Sequence, residues 1–409
     1  MKTSSVLLLL LGLSTACGQG AQNAPKEAPE HTQVKTIPVG KGPDALFLTP
    51  DERFLYVANV EDRFISVIDT RTDKVVQTID GADYPWGFVR LGESNLVAVS
   101  GYDKGVDLID FTRHQIVKSQ RFQHNLGGIT ATKDGKTLFV VATDANQVLK
   151  LDAGTLEVQD RYATGNGPDG VGVSMDGRKL YVTNTKDGTI SVIDMESKKT
   201  RLLQTGGKPE LIHSNEDHSL LFISNFFENK IHVLDTRTDE IVHEITGLDG
   251  PEEAVLSKSG DVLFVVNFNS SKIYTYDART YRKRPEVFTV GTKPIGVVSA
   301  LHDSKLYVSN YGDNAVGVIA LPSAASSEKA AAREAGPELL VRFKSDATEE
   351  QIASLASELG LEQVKTIPAL NLHVYKVVSG KGLDEVIAAC EKQPFVKYAE
   401  PNQKVGLQR

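Results

Sequence analysis

Seven copies of a unit of ~42 residues, an aspartate marker in phase with them and a change of pattern after residue 323 predict a mainly β chain of two parts. The first is a seven-bladed β-propeller of four-stranded blades over 32–322. The second is a small α+β domain of the ferredoxin-like βαββαβ type over 337–402. The repeat shows in Leu55-Tyr56-Val57-Ala58-Asn59, which returns as Leu180-Tyr181-Val182-Thr183-Asn184, Leu221-Phe222-Ile223-Ser224-Asn225, Leu263-Phe264-Val265-Val266-Asn267 and Leu306-Tyr307-Val308-Ser309-Asn310. Weaker copies end at Ser100 and Ala142, so the closing positions 59, 100, 142, 184, 225, 267 and 310 lie 41 to 43 apart. An aliphatic segment ends in aspartate at Asp69, Asp110, Asp152, Asp194, Asp235 and Asp277, with Ala320 in the seventh copy. A proline precedes each unit at Pro43, Pro85, Pro168, Pro209, Pro251 and Pro294, with Leu126 in the third.

In chain order, Met1-Lys2 supplies a positive charge and Val6 to Leu13 a short apolar core that ends in Ser14-Thr15-Ala16-Cys17. This resembles a bacterial lipoprotein signal over 1–17, with Leu13 one position further from the cysteine than that pattern has it. The resemblance implies lipidation of Cys17, and Gly18 after it implies outer-membrane sorting in a Gram-negative cell, facing the periplasm or the cell surface. A conventional signal cleaved nearby is the alternative. Residues 18–31 are polar, with Pro and Ala and no apolar period, as a flexible tether requires. No other segment is apolar enough to span a bilayer, so the membrane is expected to be reached through the lipid only.

Gln33 to Val39 resembles the fourth strands Val75 to Ile79 and Ile241 to Ile245, whereas blade seven runs out at Leu321-Pro322 before its own fourth strand. The N-terminal strand is therefore expected to complete blade seven and remove two sheet edges. Within a unit, Val171 to Ser174 is a strand, Asp176-Gly177 a tight turn, and Asp187-Gly188 a second turn before Ile190 to Ile193. Asp194 with Ser197, like Asp69 with Thr72 and Asp235 with Thr238, satisfies turn amides through side-chain oxygens. A polar strand such as Thr200 to Gln204 completes four strands per unit, which is a propeller blade. Tyr181-Val182-Thr183-Asn184 is the signature of the YVTN-type propeller repeats, and the chain resembles that family from about His31 to Pro322.

Residues 323–336 read as an Ala/Ser/Glu/Lys-rich linker. Glu338 to Lys344 is a strand. Thr348 to Leu359 has helical spacing at Ile352, Leu355, Ala356 and Leu359, with Thr348 as N-cap and Gly360 beyond the end. Val364 to Ile367 and Leu372 to Val378 are strands, Leu383 to Lys392 is a helix with Val386 and Cys390 on its apolar face, and Phe395 to Tyr398 is the last strand. The segments Leu339 to Lys344, Ala369 to Tyr375 and Val396 to Asn402 resemble the prodomain of subtilisin-like proteases of the fervidolysin type (inhibitor I9-like). In that family the domain chaperones and inhibits its protease, with its outer sheet face on the enzyme and its C-terminal tail in the active-site cleft. The resemblance implies a subtilisin-like serine protease, or another extracytoplasmic protein, as partner. It places Tyr398, Ala399, Glu400, Pro401, Asn402 and Gln403 in the contact, with 403–409 as the tail.

Composition narrows the chemistry. The 409 residues carry 45 Lys+Arg against 53 Asp+Glu, a net charge of −8 that argues against nucleic acid, whose affinity comes from neutralising phosphates. Two cysteines exclude a thiolate metal cluster and allow one bridge at most, and Cys390 reads as a small buried hydrophobe. The nine histidines show no metal or haem spacing, and no serine-protease-type nucleophile set appears. The candidate site is positional. The residues after the marker proline are Asp44, Trp86, Gly127, Asp169, Glu210, Glu252 and Ile295, which a propeller places around one mouth of its channel. Converging carboxylates there suit a divalent cation, an amine or a basic side chain, or are solvated turn residues. No other cofactor is expected. Glu252-Glu253 near Asp249 invites an acid/base role or is a solvated pair. The expectation is a non-enzymatic, monomeric binding protein. The alternatives are a propeller enzyme of lactonase or quinoprotein type, the latter disfavoured by a single tryptophan, and a cell-surface scaffold whose C-terminal domain is a structural cap.

Overall fold

The computed structural model describes residues 31–32, 35–82, 84–321, 338–344, 346–367, 371–378 and 381–402. The signal with Cys17, nearly all of the tether, the linker and Gln403 lie outside the described residues. Two compact units divide the chain, Met1–Ile319 and Ala320–Arg409.

Seven sheets form the first unit, five of them built of four antiparallel strands consecutive in sequence, as in Pro168–Val173, Lys179–Asn184, Thr189–Asp194 and Thr200–Gln204 of blade four. Blade seven closes as expected. Lys35–Pro38 pairs antiparallel with Ala315–Ala320 and supplies the missing outer strand. One departure concerns the tether. His31–Thr32 pairs in parallel with Phe288 and Thr289, so the chain enters the ring at blade six, as a fifth strand of that sheet, before it closes blade seven.

The motif strands are buried along nearly their whole length because both faces of each sheet are covered by neighbouring blades. Leu180 and Val182 pack towards Phe139 and Val141 of blade three, while Tyr181 points the other way, onto Leu221 and Ile223 of blade five. Every position of the Tyr-Val-Thr-Asn motif has a separate task. The Tyr181 hydroxyl donates to Asp239 Oδ1 at 2.6 Å and lies 3.1 Å from Thr236 O, both in the outer turn of the next blade. Tyr307 makes the same pair of contacts with Asp73 and Thr70, which locks blade seven to blade one. The Thr183 hydroxyl accepts from Gly170 N and donates to Glu210 O, linking the inner strands of blades four and five. Asn184, fully buried, donates to Thr189 and Ser191 within its own blade. Inner strands approach so closely that a Cβ on Gly170 would stand 2.4 Å from Glu210 O, and one on Gly128 2.6 Å from Asp169 O.

The second unit is the expected βαββαβ. Its sheet order is Leu361–Ile367, Leu372–Val377, Glu338–Phe343, Val396–Pro401, all antiparallel. Helix Glu349–Leu359 starts at a capping box between Thr348 and Gln351 and stops at Gly360 in the left-handed region. It packs with helix Leu383–Glu391 over Leu339, Val341, Phe343 and Tyr375. Cys390 is a free thiol within this core, and burial pushes its pKa up to about 11, as suits a packing residue.

The last strand differs from expectation. It runs Val396–Pro401 rather than ending at Tyr398, and Leu339, Leu340, Val341 and Arg342 face Pro401, Glu400, Ala399 and Tyr398. Asn402 is pinned as well, its backbone N–H on Glu338 O at 3.0 Å and its side chain on Glu338 Oε2 at 2.8 Å. Tyr398 to Pro401 therefore belong to the sheet, with Asn402 held at its end. The first strand has backbone groups to spare on that side, and the sheet takes them up.

Candidate functional site

Seven equivalent backbone bridges build one mouth of the channel. The residue after each motif strand, which in the second copy ends at Gly101 and not at Ser100, donates its N–H to the residue just before each inner strand: Val60 to Gly42, Tyr102 to Tyr84, Thr143 to Asn125, Thr185 to Gly167, Phe226 to Lys208, Phe268 to Gly250 and Tyr311 to Lys293, at 2.9 to 3.1 Å. Side chains brace the same loops, with Lys41 N on Asp62, Asn166 N on Asp187 and Thr292 N on Asp313. The inner strand then starts at the marker proline, and the next residue is delivered to the ring.

The ring residues are enclosed to different degrees. Glu210 is 9% exposed, with its backbone held by Thr183 and by the close approach of Gly170. Asp44, Trp86, Asp169 and Glu252 are half-buried, and Ile295 is buried. Asp44, Trp86, Glu253 and His213 line a cavity of about 250 Å3 between the inner strands. Burial, then the charges of Glu253, Asp169 and Glu210, push the Asp44 carboxyl up to about 8. Burial with Glu210 and Asp44 takes Glu252 to about 9, and burial with Glu210 takes Asp169 to about 6 against the pull of Lys208. Burial opposes charge on Lys208, but its ion pair with Glu210 and the carboxylates of Glu252 and Asp169 outweigh that and raise its pKa. These are not ordinary solvated turn residues.

Two further members join the ring: Glu253, which the sequence offers only as half of an acid/base or solvated pair, and His213, which it does not single out. Glu253 is 6% exposed; its Oε2 accepts from Val297 N at 3.0 Å and its Oε1 lies 3.2 Å from His213 Nε2. Burial lowers the His213 pKa, but Glu253 outweighs it and leaves the imidazole more basic than usual. The signal lay in strand alternation: Glu253 and His213 follow the marker prolines by two and four residues on inner strands. Asp249 joins neither residue. It sits in the approach loop, its N–H on Asn267.

A divalent cation finds no preformed cage. Among the described residues no three His, Cys, Asp or Glu side chains converge closely enough to hold a metal ion, whereas calcium takes 6–8 oxygens. The arrangement is a ring of separated carboxylates. It is rimmed by aromatics: Trp86 and Tyr102 with centroids 6.1 Å apart, Phe226 against Phe227 and Phe268 at 5.6 and 5.8 Å.

In the second unit, Val396–Pro401 is an edge strand, paired on one side only among the described residues. Tyr398 and Asn402 are half-buried, Ala399 is buried, and Glu400 and Pro401 are exposed. Among the described residues no helix is long and apolar enough to cross a membrane.

Comparison with solved structures gives propellers. Kuenenia stuttgartiensis hydrazine synthase aligns with a TM-score of 0.60 at 18% identity, over 74% of this chain and 99% of that one. The β-propeller domain of Myceliophteria thermophila Cps50 (Swd1) aligns with a TM-score of 0.61 at 13% identity, over 71% of this chain and 99% of that one. At such identities the likeness is one of fold. Comparison with curated proteins gives no match. Residues 87–213 match the YNCE-like beta-propeller family, and residues 320–402 match the Fervidolysin N-terminal prodomain family. The chain is thus a β-propeller with YNCE-like repeats joined to a fervidolysin-prodomain-like C-terminal domain.

Proposed function

We propose that this is a non-enzymatic binding protein of the bacterial cell envelope, anchored through a lipid on Cys17. Its propeller is a binding platform, and its C-terminal domain binds and inhibits a subtilisin-like serine protease. The observation that carries the protease reading is the prodomain match over 320–402, on a domain whose final strand is an edge strand among the described residues. A preformed edge offers backbone N–H and C=O groups for β-augmentation, and Asn402 at its end is held to Glu338. Anchoring the exit lowers the ordering cost that a free peptide would meet in a protease cleft.

The test is titration of the full chain against a panel of bacterial subtilases with a chromogenic peptide substrate. Competitive inhibition is expected, and it should be lost when the chain ends at Asn402 while the circular dichroism spectrum stays the same. An absence of inhibition across the panel overturns the protease reading. Anchoring is checked separately: Cys17→Ala should move the protein from the membrane to the soluble fraction, and unchanged membrane association of the processed variant would count against lipidation.

A further inference from the structure

We propose that the channel mouth of the propeller is a binding site for an organic cation, an alkylammonium or guanidinium group no larger than a lysine or arginine side chain. The proposal concerns the propeller alone, so it and the protease reading can fail independently.

Charge is the first ground. Asp44 and Glu253 line the cavity, Asp169, Glu210 and Glu252 stand near enough to raise one another and Asp44, the five come from four blades, and the cationic groups among them are Lys208 and His213. Lys208 occupies one oxygen of Glu210. The other, Oε2, is buried without a hydrogen-bond partner, although its carboxylate bears on Asp44, Asp169 and Glu252. A buried carboxylate oxygen without a donor is costly, and a cationic N–H donor is the group that relieves it.

The walls are the second ground. Lys208 Nζ lies 5.9 Å from the ring centroids of both Phe226 and Phe227, Lys293 Nζ lies 6.0 Å from Phe268, and the Arg63 guanidinium lies 5.8 Å from Tyr84. The rim thus already accommodates the protein's own ammonium and guanidinium groups on aromatic faces. Phe227 and Tyr102 remain 69% and 51% exposed, which leaves aromatic surface for a further cation.

Chemistry selects the class. A metal ion needs oxygens gathered within bonding distance, which this ring does not provide. A guanidinium or ammonium spreads three to five N–H donors outward and can bridge carboxylates set apart around a ring. The cavity of about 250 Å3, lined by Asp44, Trp86, His213 and Glu253 and by Leu211 next to Glu210, has the volume of ~8 waters, enough for one side-chain-sized guest beside the remaining carboxylates of the ring. Protons now hold part of the charge in check, so an entering cation should displace them, and affinity should rise with pH from about 6 to about 9.

The test is isothermal titration of the full chain with agmatine and, separately, with a capped Gly-Arg-Gly peptide. Two buffers of different ionisation enthalpy report proton release. Saturable binding of either probe with proton release is expected, and which one binds more tightly tells a free amine from a peptide side chain. Glu210→Gln should weaken binding about tenfold or more, the effect of losing a charged hydrogen bond. Asp44→Asn, at a half-buried position, should reduce both affinity and protons released, and guards against misfolding of the first variant. Asp217→Asn, outside the ring, should leave both unchanged. Lack of saturation by both probes at millimolar concentration, equal affinity in folded Glu210→Gln, or tighter binding of calcium than of either probe would overturn the proposal.

Discussion

Asp44 and Glu252 set the pH response of the propeller. Their carboxyls stand near 3.8 and 4.5 when unperturbed and at about 8 and about 9 in the folded ring, with burial the larger cause in both. Between those limits the native state holds protons that the unfolded chain has released. Stability should therefore fall as pH rises from about 4 to about 9, the reverse of a salt-bridged carboxylate. Asp44→Asn with Glu252→Gln lessens the slope, part of which Asp169 and His213 keep, so the variant should melt at a similar temperature to the wild type near pH 5 and several degrees higher near pH 9. Thermal melts at five pH values decide it; parallel curves for the two proteins would place both carboxyls in contact with solvent. The acidic ring was legible because the propeller period delivers the post-proline position to one mouth whatever residue stands there. Glu253 was legible only as half of an acidic pair and its contact with His213 not at all, since a scan for metal spacing along the chain cannot see the inner strands of two neighbouring blades, 40 residues apart, meet.

The motif strand and the final strand show what can be read of an element. Leu-Tyr-Val-Thr-Asn announced a strand by its period and its apolar run. Nothing in it announced that the tyrosine hydroxyl reaches the outer turn of the next blade, because that partner is 58 residues away. Tyr181→Phe keeps the buried ring and removes the bond to Asp239, which retains Lys179 at 2.6 Å. A loss of about 1–2 kcal/mol in urea unfolding is expected, near the usual value of a hydrogen bond to a charged group. The last strand was legible only as far as Tyr398, where its apolar alternation stops. Glu400 and Pro401 look like loop residues in sequence, but the first strand supplies their pairing. A chain ending at Tyr398 loses the pairs with Leu339, Leu340 and Val341 and buries no Ala399, so the C-terminal domain should lose its cooperative transition. A chain ending at Asn402 should keep it. Hydrogen exchange at Leu339 to Val341 separates the two outcomes, with slow exchange in the shorter chain contradicting the pairing described here.

At the scale of the whole molecule, the repeat fixes the number of blades and the N-terminal strand fixes how the ring is shut. Closure was legible because blade seven ends one strand short and a fourth-strand pattern precedes blade one. The parallel contact of His31–Thr32 with blade six was not, since two residues carry no period. Lys35–Pro38 is the outer strand of blade seven, and Ile37, 4% exposed, packs with Val316, Val318 and Tyr307. Removing residues 31–39 would strip that core and uncover the edge of Ala315–Ala320, a row of unpaired backbone groups beside blade one. Tyr307 would still hold Asp73, so the ring need not open; it would instead offer a strand edge to a second copy. The expected outcome is a lower melting temperature together with concentration-dependent association in analytical ultracentrifugation. Removing 18–30 takes away no described pairing and should change neither reading. If the two deletions melt alike and both sediment as monomers, the N-terminal strand does not carry closure, and the tyrosine bridges between blades would have to do so alone.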